Sequence, residues 1–200
     1  MKKFLALTLA VVMALLFVAC DSTSPALSRG TIKDNVYTSE YLGVSFTKPD
    51  SWVYSTDEEI AAAMNLGADL FLDENFKEAL ENNSSIYDMM VVDSITRTNI
   101  NVGFENLSKT FASNITVEQY VQALKTQFSN VSGMTVTFPE SFETVTLGKT
   151  EFTKVACTVT AQGVSMKQVY YLNKMDKFMC HIIVTIPSGY TVEQIEAMFQ

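Results

Sequence analysis

The chain has 200 residues and a formal net charge of −8, and 48% of its side chains are hydrophobic. That suits a packed domain rather than a charged, disordered polymer. Its 14 basic residues are outnumbered by 22 acidic ones and form no cluster, so the electrostatic footprint of a nucleic-acid binder is missing and no nucleic-acid partner is expected. The eight glycines stand singly, so neither G-x-G-x-x-G nor a Walker loop can be written, and no cofactor is expected.

In chain order, Lys2 and Lys3 precede an apolar run from Phe4 to Ala19, and the first cysteine, Cys20, stands where that run stops. As a helix the run would reach roughly 24 Å, short of a ~30 Å hydrocarbon core, so a removed secretory signal over residues 1–19 is the better reading than a permanent span. Leu16, Phe17, Val18 and Ala19 before Cys20 resemble the lipobox of bacterial lipoproteins, with Phe17 where leucine is usual. In that family the thiol is diacylated and the cysteine becomes the new N-terminus. The resemblance therefore implies lipidation of Cys20 and a chain held on the outer, extracytoplasmic face of a cell membrane. Two acyl chains anchor stably where one does so only marginally. Without Lys2 and Lys3, 12 basic residues face 22 acidic ones. Residues 20–35 hold Ser, Thr, Pro and Gly without apolar periodicity and read as a lipidated cysteine followed by a flexible tether.

Residues 36–200 are expected to form a single domain, long enough to bury roughly 70% of its unfolded surface. Two short strands should flank a turn at Gly43, and Pro49 with Asp50 should end the second. Thr56 and Glu59 fit a capping box, which predicts a helix over residues 57 to 65. Leu70, Phe71, Leu72, Phe76, Ala79 and Leu80 predict a second helix over 69 to 82. "YDMMVVDSI" and "INVGFENL" read as paired strands. Val117, Tyr120, Val121, Leu124 and Phe128 form one stripe of a helix over 116 to 128 capped by Thr116. A β-rich stretch with short turns follows, which forces antiparallel neighbours. "TVEQIEAMFQ", a helix capped by Thr191, ends the chain. The fold class predicted is α+β, a central, mainly antiparallel sheet flanked by helices.

"EYLGVSFTKPDSWVYSTDEEI" and "GVSMKQVYYLNKMDKFMCHIIVTI" resemble small lipoproteins of Gram-positive anaerobes whose domain is similar to PsbP, the extrinsic photosystem subunit. The resemblance spans most of residues 35 to 200. It implies an α/β/α sandwich and a role as an accessory subunit, and its motifs carry no catalytic content.

Catalytic sets are scarce. His181 is the one histidine, in "KFMCHIIVTIP", where Phe178, Cys180, Ile182 and Val184 share one strand face and His181 lies on the other. It reads as a partly exposed sheet residue rather than a base. Cys180 and His181 point apart and cannot readily grip one metal ion, and Asp57, Glu58 and Glu59 read as a solvated helix start, so no metal is expected. A third strand should separate Cys157 from Cys180, and no disulfide between them is expected. Tyr37, Tyr41, Phe46, Trp52 and Tyr54 admit two readings. They are core plugs, or Tyr37, Tyr41, Trp52 and Tyr54 form a recognition surface. The function expected is a non-catalytic binding or assembly module, lipid-anchored, with a membrane-protein or envelope partner. Single-domain capture of a nutrient or envelope fragment is the alternative, and a carboxylate-only envelope hydrolase is the least favoured.

Overall fold

The computed structural model describes residues 25–71, 73–111 and 113–200. The expected signal, Cys20 and Leu72 lie outside the described residues. The fold is α+β. A small sheet of β1 (Thr31–Lys33), β2 (Val36–Ser39) and β3 (Val44–Thr47) precedes a large sheet. The large sheet comprises β4 (Trp52–Tyr54), β5 (Ser85–Asp93), β6 (Asn99–Asn106), β7 (Met134–Thr137), β8 (Glu143–Leu147), β9 (Thr150–Ala161), β10 (Val164–Met175) and β11 (Phe178–Ile186). Its order is β4-β5-β6-β11-β10-β9, with β7 and β8 sharing the outer edge of β9. Every pairing is antiparallel. The long strands β9, β10 and β11 form a meander because Gln162-Gly163 and Asp176 adopt the left-handed backbone that tight hairpins need.

The helices are α1 (Asp57–Met64), α2 (Asp73–Asn82), α3 (Leu107–Thr110), α4 (Val117–Ser129) and α5 (Val192–Glu196). Thr56, Thr116 and Thr191 each accept a hydrogen bond from the third backbone N–H of their helix, and the third side chain returns one to the cap N–H. These reciprocal caps begin α1, α4 and α5 where the sequence placed them. The second predicted helix divides into a 3₁₀ turn at Ala68–Phe71 and α2.

Two apolar layers sandwich the large sheet. On its first face Cys180, Ile182, Val184, Val102 and Phe104 pack against α1, α2, α5 and the small sheet, with Trp52, Phe46 and Phe76 fully buried among them. A bulge between Tyr87 and Met89 shifts the alternation of β5 by one residue, so Ile86 and Asp88 before it and Met89 and Val91 after it are all buried. On the second face α3 and α4 cover Val155, Cys157, Tyr170, Leu172 and Met179.

Three expectations need correction. The tether over residues 20–35 is too long: Thr31–Lys33 pairs with β2, Leu27 packs on the core and Arg29 is bound to two carboxylates. The last helix stops at Glu196, because Phe199 stacks on Phe46 at 5.1 Å and the backbone of Gln200 pairs with Ser45 in both directions. Tyr37, Tyr41 and Trp52 are 0%, 5% and 1% exposed, so with the half-buried Tyr54 they form no recognition surface. Trp52 donates its indole N–H to the Tyr190 hydroxyl at 3.0 Å and meets that ring edge-on, which gives the indole a half-buried partner on the first face.

Candidate functional site

The helical cover of the second face is incomplete. α4 lies over β7 and β10 and the short α3 over β6 and β11, and between them part of the face is left open among the described residues. Between α4 and the strands runs an open groove of about 420 Å³. Its wall comes from the stripe of α4, with Tyr120, Leu124 and Phe128 at successive turns, so three of the five predicted stripe residues border the groove as well as the core. Its floor is the outward set of side chains on the strands: Ser85 and Tyr87, Asn101 and Glu105, His181 and Ile183, Gln168 and Tyr170.

Register explains how these groups meet. Tyr87 on β5, Gly103 on β6, His181 on β11 and Leu172 on β10 stand in one cross-strand row. A methyl group at Gly103 would lie 2.6 Å from His181 Nε2 and 2.9 Å from both the Ile86 carbonyl oxygen and Tyr87 Cδ1. The missing side chain lets the Tyr87 and His181 rings close over the bare backbone, edge to face at 5.9 Å.

That closure overturns the expectation of a partly exposed histidine: His181 is 6% exposed. Neither ring nitrogen meets a partner at full hydrogen-bond geometry among the described residues, and only the nearby Met179 backbone favours the protonated ring. Burial penalises the imidazolium and pulls the pKa down to about 4, so the ring is neutral at physiological pH. It carries one donor and one acceptor that no described side chain takes up.

The other polar groups are tied into the scaffold. Tyr120 donates its hydroxyl to Glu105 Oε2. Burial, then the Glu105 charge, raise the phenol far above its usual range. Tyr170 donates to Gln168 Oε1 at 2.7 Å, and Gln168 Nε2 donates to Thr185 Oγ1 at 3.1 Å. Burial keeps Tyr170 and Tyr87 protonated as well. Glu105 is the one ionisable carboxylate on the lining described, which contains no Lys or Arg.

A second, larger cavity of about 740 Å³ is bordered by Pro25, Tyr41, Val44, Lys149, Met175 and Gln200, among others. Its Ser and Thr hydroxyls are used internally: Ser39 accepts from the Leu42 N–H, Thr150 donates to the Leu42 carbonyl, and Thr38 bonds Ser45. It holds no unsatisfied buried group comparable to His181 among the described residues.

A third polar assembly is buried under the N-terminal strap. Arg29 ion-pairs with Asp57, lies 3.6 Å from Asp88, donates to the Phe71 carbonyl at 2.6 Å and stacks on the Phe71 ring. Asp88 accepts from Tyr37 Oη at 2.6 Å and from the Gly30 N–H at 2.9 Å. Arg29 holds the partly exposed Asp57 carboxyl below its usual range, whereas burial raises Asp88 despite its donors. This cluster fastens the strap to α1 and β5.

Cys157 and Cys180 are free and buried. They belong to opposite faces, and their partners on β10, Gln168 and Asn173, are five residues apart, about 17 Å of strand. That is far beyond disulfide reach. No cluster of three or more metal-ligating side chains occurs among the described residues. No helix among the described residues is long and apolar enough to cross a membrane. Compared with known proteins, the chain matches no protein-family model and no curated protein.

Proposed function

We propose that this chain is a lipid-anchored, non-catalytic binding module on the outer face of a cell membrane, with the groove beside α4 as its binding site. The observation that carries the reading is the pairing of an open polar groove with a buried histidine whose two nitrogens have no side-chain partner among the described residues. A buried polar group without a partner costs about 1–3 kcal/mol, and natural folds keep such groups mainly where something else satisfies them. Three points support a non-catalytic role. An imidazole with a pKa near 4 is a weak base at neutral pH, it has no hydroxyl or thiol to activate, and Glu105 is already bonded to Tyr120. The lipobox at Leu16 to Cys20 supports the anchor, and the PsbP-like resemblance supports a partner-binding form of the same module.

Two measurements test it together. Cells expressing the tagged chain are labelled with an alkyne palmitate analogue, and Cys20→Ala is expected to lose both the label and the membrane fraction. The Cys20→Ala chain is then heated with the small-molecule fraction of an envelope extract. A ligand near 100 Kd stabilises by about 2.7 kcal/mol and raises Tm by several degrees. Label retained on Cys20→Ala would overturn the anchor. No Tm rise, together with no protein cross-linked to the chain in intact cells, would overturn the binding role.

A further inference from the structure

We propose that the groove takes a neutral saccharide, a short run of uncharged sugar rings. This deepens the reading of the groove as a binding site and rests on it. Charge gives the first restriction. With Glu105 as the one carboxylate and no Lys or Arg on the lining, a phosphate, sulfate or carboxylate would lose its hydration and gain no cation in return.

Shape and hydrogen bonding give the rest. The half-buried Tyr87 and Phe128 furnish aromatic surface on floor and wall, backed by the buried Tyr120 and Tyr170, and aromatic faces match the C–H faces of a pyranose. Between them stand groups that both donate and accept: Ser85, Asn101 and the neutral His181. A hydroxyl also both donates and accepts. An ammonium ion only donates, and would leave the N–H groups of Asn101 and His181 without an acceptor. Glu105 retains lone pairs beyond the one taken by Tyr120 and can accept from a further hydroxyl. His181 lies under the half-buried Tyr87, so a sugar that displaces the Tyr87 edge reaches two ring nitrogens that no described side chain engages. No bond is made or broken, and the complex is reversible.

The test is calorimetric titration of the full Cys20→Ala chain at pH 7. The neutral probes are maltotriose, mannotriose, cellotriose and tri-N-acetylchitotriose. Choline and spermidine serve as cationic probes, and glucose 6-phosphate and trigalacturonate as anionic ones. We expect at least one neutral trisaccharide to bind, and Tyr87→Ala and Asn101→Ala each to raise its Kd about tenfold. Both residues are only half-buried, and unchanged far-ultraviolet circular dichroism would separate that loss from unfolding. The imidazole ¹⁵N resonances of His181 should also shift on saturation, a readout that a merely structural histidine would not give. If choline or spermidine binds and no trisaccharide does, the saccharide assignment falls and the binding module stands. The same holds if only the anions bind. If no probe of any class binds and the ¹⁵N resonances never move, the saccharide assignment falls, and the binding module is judged by the thermal-shift and cross-linking measurements instead.

Discussion

At the scale of single residues, His181 shows how position sets chemistry. Alternation along "KFMCHIIVTIP" puts it on the less apolar face, and such a face ordinarily meets water. It is buried because Gly103, one strand away, has no side chain and Tyr87 folds over the gap. The titration follows. The unfolded chain binds a proton near the usual 6.5 and the folded chain only near 4, so stability falls as pH drops through that interval. The loss is roughly 3 kcal/mol in all. Asp57, also depressed, adds loss in the same direction at lower pH, and Asp88, raised, opposes it. Urea unfolding at pH 7 and pH 4.5 should show this drop, and His181→Gln, which removes the titrating group, should flatten it. Equal drops in both proteins would refute the account.

At the scale of elements, the N-terminal strap is the part whose behaviour differs most from its composition. Serine, proline and glycine before residue 35 suggest a free linker. Arg29 nevertheless reaches Asp57 on α1 and Asp88 on β5, and Gly30 gives its N–H to Asp88, so β1 is held to two distant elements. A side chain on Gly30 would enter the Tyr37 ring at 2.3 Å, which is why a glycine stands beside the arginine. Arg29→Ala should destabilise the chain by about 3 kcal/mol, because Asp88 loses its cation while still buried. The double variant Arg29→Ala with Asp88→Asn should recover part of that loss. Urea midpoints measure both. A loss under about 0.5 kcal/mol for Arg29→Ala, as for an ordinary surface pair, would return the strap to a tether.

The helix starts, by contrast, were legible residue by residue. Thr56 with Glu59 and Thr116 with Gln119 are local pairs, and their hydrogen bonds need nothing beyond the turn they close. The strands were equally legible, because the turns after Gly148 and at Gln162-Gly163 set short connections and hence antiparallel order. The end of the final helix was not. Nothing local stops "TVEQIEAMFQ" at Glu196. The stop comes from Phe46, far back in the chain, which attracts Phe199.

At the scale of the whole molecule, the two faces of the large sheet hold different thiols. Cys180 lies in the first-face core and Cys157 beneath α4. Burial raises Cys157 to about 11 and Cys180 further still, so neither is a thiolate at neutral pH. In Cys20→Ala, Ellman's reagent should find neither thiol in the native state within minutes and both after unfolding in guanidinium without reductant. A single disulfide, leaving no thiol to titrate, would contradict the separation of the faces. A fast native thiol would contradict the packing.

The sequence by itself determined the α+β class, the capped helix starts, the paired strands and the lack of motifs for nucleotides or nucleic acid. These depend on neighbours within a turn or on strict alternation, so they can be read from spacing. Only the tertiary structure decided which aromatics face inward, what holds Arg29, and that α4 spans part of the second face and leaves a groove beside it. On β5 and β6 the polar alternation Ser85, Tyr87, Asn101, Glu105 looks like any solvated strand face. It becomes a walled site only where a helix from elsewhere in the chain stands over one side of it, and contacts between residues so far apart leave no mark in local spacing.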